Sequence, residues 1–283
     1  MKHGRFGRIG HPIAHSLSPA LFKAGYDGRY PYQLIEGSDF EDSYRRFLEG
    51  YEGINVTAPF KELAFAKADI LSTECEAVGA TNLLIKTTEG IKAYNSDYLG
   101  VRRWLSEVAE GLKRTPPTPS SWAPPPAARG VARFSSPQPP LTAVKALIVG
   151  LGGAGKAAAA AAESLGMEVI RMNRTVRDER TRPLSDFRDC FREADIVIYN
   201  IPAAIPELSE LTDEDFGDGR PKWILEANYR NPSFDEVLLQ KMKAANPMAE
   251  YTSGKIWLLY QALTGYEIFT GEKPDLRKMS DVL

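Results

Sequence analysis

The sequence predicts an α/β protein of two domains. Three observations carry this. Strand-like and helix-like runs alternate through the first hundred residues, a second block of the same kind resumes at Val144, and a proline-rich stretch with neither period lies between them. A chain of 283 residues is too long for one small core and sufficient for two domains of ordinary size.

In the first block, residues 5–9 read as a short strand. Residues 19–25 read as a helix, with Ser18 as its N-cap and Pro19 at the first helical position, where a missing N–H costs nothing. A second strand is expected at 32–35. Residues 39–49 carry Phe40, Tyr44, Phe47 and Leu48 at helical spacing. A third strand is expected over 53–57, ending before Pro59, and a helix opens near Phe60. Residues 81–86 and 91–94 read as a hairpin about Glu89-Gly90. Residues 113–140 hold nine of the chain's twenty prolines and are expected to form an extended surface insertion or linker, because proline lacks a backbone donor. The second block opens with a compact apolar strand at 144–149, then a glycine-rich turn, an alanine-rich helix to about Leu165 with Gly166 as its stop, and strands at 168–172, 195–199 and 223–225. The last thirty residues read as mainly helical, with Ile256, Leu259, Tyr260, Leu263 and Ile268 near one face.

Composition narrows the function. Apolar residues make up 43% and charged residues 25%, as in an ordinary globular protein. A net charge of −2 lacks the basic excess of a nucleic-acid binder. No apolar run is long enough to span a bilayer, and no apolar stretch behind Met1 resembles a signal peptide, so a cytoplasmic location is expected. Cys75 and Cys190 lie far apart with no CxxC partner, and the only histidines, His3, His11 and His15, are too few for a metal site.

Two kinds of motif carry chemistry. Gly150-Leu151-Gly152-Gly153-Ala154-Gly155 fits GxGxxG between a buried-looking strand and a helix start, the context in which such a loop cradles a dinucleotide pyrophosphate. The next strand ends in Asn173-Arg174-Thr175. An acidic residue there would select NAD through the ribose hydroxyls, whereas Arg174 can pair with a 2′-phosphate and Thr175 can donate to it, which favours NADP(H). Before the insertion, Ser16 and Ser18 set two hydroxyls beside a helix start, a setting suited to a carboxylate. Lys61 stands at a helix N-terminus, where the dipole disfavours a cation, so its presence there points to chemistry. Asn82 and Asp97 add an amide and a carboxylate near the two ends of the hairpin.

With these residues in view, the chain resembles the shikimate dehydrogenase family over nearly its full length apart from the insertion. The matching stretches, in family order, are Gly10-His11-Pro12 with Ser16-Leu17-Ser18-Pro19, Asn55 to Lys61, Gly79 to Asn82, Asn95-Ser96-Asp97 with Gly100, Gly150 to Gly155, Asn173 to Thr175, and Gly254 with Leu259-Tyr260-Gln261-Ala262. The resemblance implies an N-terminal open α/β substrate domain over 1–104 with 254–283, a Rossmann-type NADP-binding domain over 142–253, the insertion at 113–141, and C-terminal helices packing back on the first domain. It implies NADPH-dependent, reversible reduction of 3-dehydroshikimate to shikimate, a step of aromatic amino acid biosynthesis. A monomer or homodimer acting on small-molecule ligands, with no nucleic-acid or membrane partner, is expected, and closure of the two domains around the ligands is expected by analogy with hinged enzymes. Lys61 and Asp97 would form the catalytic pair. Ser16 and Ser18, with Tyr229, would hold the substrate carboxylate, and Thr57, Asn82 and Gln261 the ring hydroxyls. Gly150, Gly152, Gly153, Ala154, Gly155, Asn173, Arg174, Thr175 and Gly254 would bind the cofactor. Departures from the family pattern are Asn200-Ile201-Pro202-Ala203-Ala204 in a cofactor-side loop, Glu226 in place of Asp, Ile256 in place of glycine, and Leu83 in place of threonine. The alternatives are a quinate/shikimate dehydrogenase of broader specificity and, from a different class, a non-catalytic NADP-sensing regulator. Replacing residues 116–139 by a short Gly/Ser link is expected to leave specific activity largely intact; a large loss in a still-folded variant would place the segment at the active site.

Overall fold

The computed structural model describes residues 4–113, 144–217 and 219–283. The expected insertion at 113–141 lies outside them, apart from its first residue. The chain divides into two compact units, Met1–Gly100 with Leu258–Leu283, and Val101–Trp257.

The first unit contains β1 (Phe6–Gly10), α1 (Ser18–Gly25), β2 (Tyr32–Glu36), α2 (Phe40–Gly50), β3 (Gly53–Val56), α3 (Lys61–Ala66), β4 (Ile70–Leu71), α4 (Thr73–Val78), β5 (Leu83–Thr87), β6 (Gly90–Tyr94) and the start of α5 (Ser96–Lys113). Its sheet runs β2-β1-β3-β5-β6-β4. β1 is parallel to both its neighbours, while β3, β5 and β6 pair antiparallel. The two faces of the sheet bury different side chains, because successive residues of a strand point to opposite sides. Ile9, Ile35, Ile54 and Val56 meet Phe40 and Phe47 of α2 on one side. On the other, Phe6 stacks on Phe269 at 5.0 Å between ring centres and Phe22 meets Tyr266 edge-on at 4.7 Å. The aromatic residues near the C-terminus thus complete the core of the N-terminal unit. α2 starts where Asp39 accepts a hydrogen bond from the Asp42 N–H (2.7 Å), a side-chain cap.

Ser18 is not the N-cap. Leu17 already has a helical backbone and Ser18 is the first helical residue. The serine that bonds the helix start is Ser16, whose hydroxyl accepts from the Ser18 N–H at 3.2 Å.

The second unit contains β7 (Lys145–Val149), α6 (Gly153–Ser164), β8 (Glu168–Met172), β9 (Thr181–Arg182), α7 (Phe187–Glu193), β10 (Ile196–Tyr199), α8 (Pro206–Ser209), β11 (Lys222–Glu226), α9 (Glu236–Ala245) and β12 (Ala249–Ser253). The chain ends with α10 (Gly254–Thr270) and α11 (Leu276–Ser280). All six strands of its sheet are parallel, in the order β12-β11-β10-β7-β8-β9. Counted from β7, that is the doubly wound dinucleotide-binding order, whose winding reverses between β7 and β10. Leu147, Val149, Val197, Tyr199 and Ile224 pack on Phe187, Phe191 and Phe234.

Within the first unit, α5 lies against α10 at Gly100, where a Cβ would stand 2.6 Å from the Gln261 backbone nitrogen. A backbone atom cannot swing aside as a long side chain does. Gly100→Ala is therefore expected to cost roughly 1–3 kcal/mol of stability by overpacking, read as a fall in the thermal midpoint. An unchanged midpoint would mean that the two helices do not approach this closely.

Candidate active site

The first sheet also reverses its winding once. The chain passes from β1 to β2 on one side and then crosses to β3 on the other, so the loops after β1 and β3 leave the same edge side by side. In open α/β sheets this is where ligands bind. Two backbone bonds fix the approach: the His11 N–H donates to the Ala58 carbonyl (3.3 Å), and the Thr57 N–H to that of Ile9 (3.0 Å). Ser16 and Ser18 come from the first loop and the helix it enters, and Thr57 and Lys61 from the second loop and the start of α3.

Lys61 donates to the Asp97 carboxylate across 36 residues of sequence, and both side chains are largely withdrawn from solvent. Asp97 lies in the first turn of α5, where the helix dipole favours an anion; Lys61 opens α3, where the dipole opposes a cation. The pair offsets that penalty. Neighbouring amides hold α5 in place. Asn95 accepts from the Tyr98 N–H (3.0 Å), as a cap, and donates to the Ala80 carbonyl (2.9 Å). The Asn82 amide oxygen accepts from the N–H (2.7 Å) and hydroxyl (3.2 Å) of Ser96. With its oxygen so engaged, Asn82 presents its NH₂ group as the end suited to a ligand's acceptor. The Thr81 N–H donates to the Lys61 carbonyl (3.4 Å), which joins the hairpin base to α3. Gln261 belongs to this unit as well, its backbone against Gly100, one turn along α5 from Asp97. The first unit therefore holds Ser16, Ser18, Thr57, Lys61, Asn82, Asp97 and Gln261.

The second unit holds the expected cofactor residues and Tyr229. Gly150 follows β7 at φ +87°, in the left-handed region. A Cβ on Gly155 would lie 1.8 Å from the Gly150 carbonyl oxygen, whereas one on Gly152 would meet nothing within 4 Å. The loop is thus pressed shut beneath and open above. The N–H groups at the start of α6 have no acceptor within the helix, and Gly152 offers no side-chain cap. This cradle suits a pyrophosphate. Asn173 anchors the adjoining turn, accepting from the Leu151 N–H (3.4 Å) and donating to the Thr175 carbonyl (3.2 Å), and Arg174 and Thr175 stand exposed beside it. The atypical stretch 200–204 reaches this site: Asn200 and Ile201 pack on Gly150, and the Asn200 amide nitrogen comes within 3.6 Å of a Cβ placed on Gly155. The Asn200 amide oxygen is buried with no partner among the described residues, an acceptor free for a donor from a bound group. Gly254 opens α10 against the carbonyls of Glu226 and Ala227, where a Cβ would stand at 2.6 and 2.3 Å. Tyr229 lies in the loop after β11 with the Arg230 guanidinium over its ring.

Three contributing residues did not emerge from the sequence. Glu226, noted there only as a departure, is fully buried and organises the Tyr229 loop: it accepts from the Ser233 and Phe234 N–H groups and from the Tyr251 hydroxyl (2.9 Å). Asn55, which is part of a matched motif, accepts from the Tyr32 hydroxyl at 2.7 Å. Arg8 donates to the Ser18 hydroxyl at 2.8 Å. The available signal for Arg8 was its charge in an otherwise apolar strand.

Residues 9–84 match the profile of the shikimate dehydrogenase substrate binding domain, and residues 128–225 that of the D-isomer specific 2-hydroxyacid dehydrogenase NAD binding domain. The chain is 27% identical to shikimate dehydrogenase (NADP(+)) of Helicobacter pylori, over all of this chain and 98% of that one. It is 28% identical to the enzyme of the same name from Thermus thermophilus, over 98% and 96%. Among solved structures it resembles shikimate 5-dehydrogenase of Thermus thermophilus in complex with shikimate, with a TM-score of 0.70 and 26% identity over 98% of this chain and 96% of that chain. The similarity runs through nearly the whole chain, and in it the chain resembles the shikimate dehydrogenases.

Proposed function

We propose that this protein is an NADP-dependent shikimate dehydrogenase, catalysing the reversible reduction of the ring ketone of 3-dehydroshikimate to the hydroxyl of shikimate. The observation that carries the reading is the Lys61–Asp97 pair at the winding reversal of the first sheet, framed by the amide of Asn82. The reduced nicotinamide, when bound, supplies the hydride that the ketone carbon accepts. The chain's own residues do the rest. Lys61 presents an ammonium to the ketone oxygen as negative charge develops there, stabilises it, and gives or relays the proton that completes the hydroxyl. Asp97 holds that ammonium in place and accepts from a neighbouring ring hydroxyl. Thr57, Asn82 and Gln261 bind the ring hydroxyls, and Ser16 and Ser18 bind the carboxylate.

On the second unit, Gly150 to Gly155 receive the pyrophosphate, with Gly254 in the same cofactor set, and Asn173 aims Arg174 and Thr175 at the 2′-phosphate. The reading carries with it a cytoplasmic enzyme working as a monomer or homodimer. No helix among the described residues is long and apolar enough to cross a membrane.

The direct test is turnover of shikimate and of quinate with NADP⁺ and with NAD⁺, followed by nicotinamide absorbance. Turnover confined to shikimate with NADP⁺ is the expected result. Comparable rates with quinate and NAD⁺ would replace it by a broader dehydrogenase, and no turnover with any pair would end the enzyme reading.

Lys61→Ala is expected to keep NADPH affinity while kcat falls on the order of 10²–10⁴-fold, the range of a lost general acid; undiminished kcat would remove Lys61 from the mechanism. Arg174→Ala is expected to raise the KM for NADP⁺ roughly 10- to 100-fold, the worth of a charged hydrogen bond, with little change for NAD⁺. Equal effects on the two cofactors would show that Arg174 does not read the phosphate.

A further inference from the structure

Arg8 is a charged group that the fold leaves incompletely satisfied. It stands in β1 between buried Gly7 and Ile9, and its side chain lies on the face covered by α1 and α10. Its hydrogen-bond partner is neutral: Nη1 donates to the Ser18 hydroxyl at 2.8 Å. Its Nε is buried and has no hydrogen-bond partner among the described residues. Among the described residues, no carboxylate lies within ion-pair distance of it. The surroundings are otherwise complete. Tyr32 donates to Asn55, the β3 residue in register with Arg8, and Tyr266 donates to the Ser18 carbonyl at 3.0 Å. Burial holds the Tyr32 phenol above its ordinary range, with the Arg8 charge pulling the other way, and burial raises the Tyr266 phenol as well, so neither tyrosine serves as an anion. A partly buried guanidinium whose Nε is sealed from water, set against one hydroxyl and two neutral phenols, is incompletely compensated unless a negative charge joins it.

We propose that Arg8 is the counter-ion for the substrate's carboxylate, and so a specificity-determining residue that makes the enzyme select the anionic acid. The proposal rests on the reading that Ser18 binds that carboxylate. An oxygen bonded to the Ser18 hydroxyl lies no farther than about 5.5 Å from Arg8 Nη1, two hydrogen-bond lengths in sequence. At that range, beside a partly buried guanidinium, an opposite charge is attractive. Arg8 also orients the receptor, because the hydroxyl it donates to is held in one rotamer at the first turn of α1. The partial desolvation of Arg8 is incurred when the protein folds, and the incoming carboxylate offsets it. A neutral analogue of the same shape gains nothing from the charge.

The test compares shikimate with its methyl ester, in the full-length protein and in Arg8→Met, with NADP⁺ saturating. Arg8→Met is expected to raise the KM for shikimate on the order of 10- to 100-fold with kcat changed little, and to leave the KM for the ester essentially unchanged. A merely structural arginine would harm both substrates alike, and equal losses would overturn the assignment. Should Arg8→Met fail to fold, Arg8→Lys decides. It keeps the charge while losing the planar fork, and is expected to raise the KM for the acid several-fold with the ester unaffected; equal effects on acid and ester again overturn the assignment. No turnover of shikimate by the unmodified protein would sink the functional reading and this proposal together, whereas turnover with substrate-independent losses would sink this proposal alone.

Discussion

Both sites follow from one constraint on how a chain can cover two faces of a sheet. Parallel strands need crossover connections, and those crossovers have one hand. Helices can then reach both faces only if the chain reverses its winding direction. Each sheet here reverses once, between β1 and β3 in the first unit and between β7 and β10 in the second. At a reversal, the loops leaving two adjacent strand ends diverge to opposite faces and leave backbone groups without a strand neighbour. The first reversal gathers the loops that carry Ser16, Thr57 and Lys61. The second gathers Gly150 and Asn200.

Polar groups concentrate at these two places because a buried polar atom is tolerated only where its bonds are made. In the first unit the bonds form a chain. Asn95 caps α5 and holds the Ala80 carbonyl, Ser96 fixes the Asn82 oxygen, and Asp97 receives Lys61. Each member restrains the next, so the lysine is positioned by hydrogen bonds from elements far apart in sequence. In the second unit, Glu226 takes three donors and ties down the loop that bears Tyr229. Glu226 is therefore buried with its carboxylate satisfied. Among the buried side-chain atoms that lack a hydrogen-bond partner within the described residues, the Asn200 oxygen and the Arg8 Nε adjoin residues that ligand chemistry would use.

The atypical stretch 200–204 illustrates how an isolated departure reads differently in three dimensions. As sequence it weakens the cofactor assignment. In the fold, Asn200 and Ile201 pack against the glycine loop and supply an unpartnered acceptor, so the change alters the lining of the cradle without dismantling it.

Much of the architecture was legible because it is written in local periodicity. The apolar run that becomes β7, the glycine loop and the alanine-rich α6 are adjacent in sequence, and backbone sterics alone dictate a strand, a tight turn and a helix there. The hairpin of β5 and β6 and the aromatic face of α2 were legible for the same reason. The short elements were not: β4 has two residues, α4 six, and neither is long enough to show a period. Ser18 was misplaced as a cap because a serine before proline satisfies the local rule, while in the fold Leu17 takes the cap position and Ser18 is already helical. The residue types of the site, lysine, aspartate, serine and amide, stand in the sequence itself. Their meeting does not. The Lys61–Asp97 contact, the closeness of Gly100 to Gln261 and the enclosure of Arg8 by Ser18, Tyr32 and Tyr266 depend on strand order and on the return of α10 to the first sheet. Local sequence determines what each segment can become, since dihedral sterics and side-chain spacing act over a few residues. Which charges end up sharing one dry space was decided only by the tertiary fold, because burial and dielectric are properties of the whole packed chain.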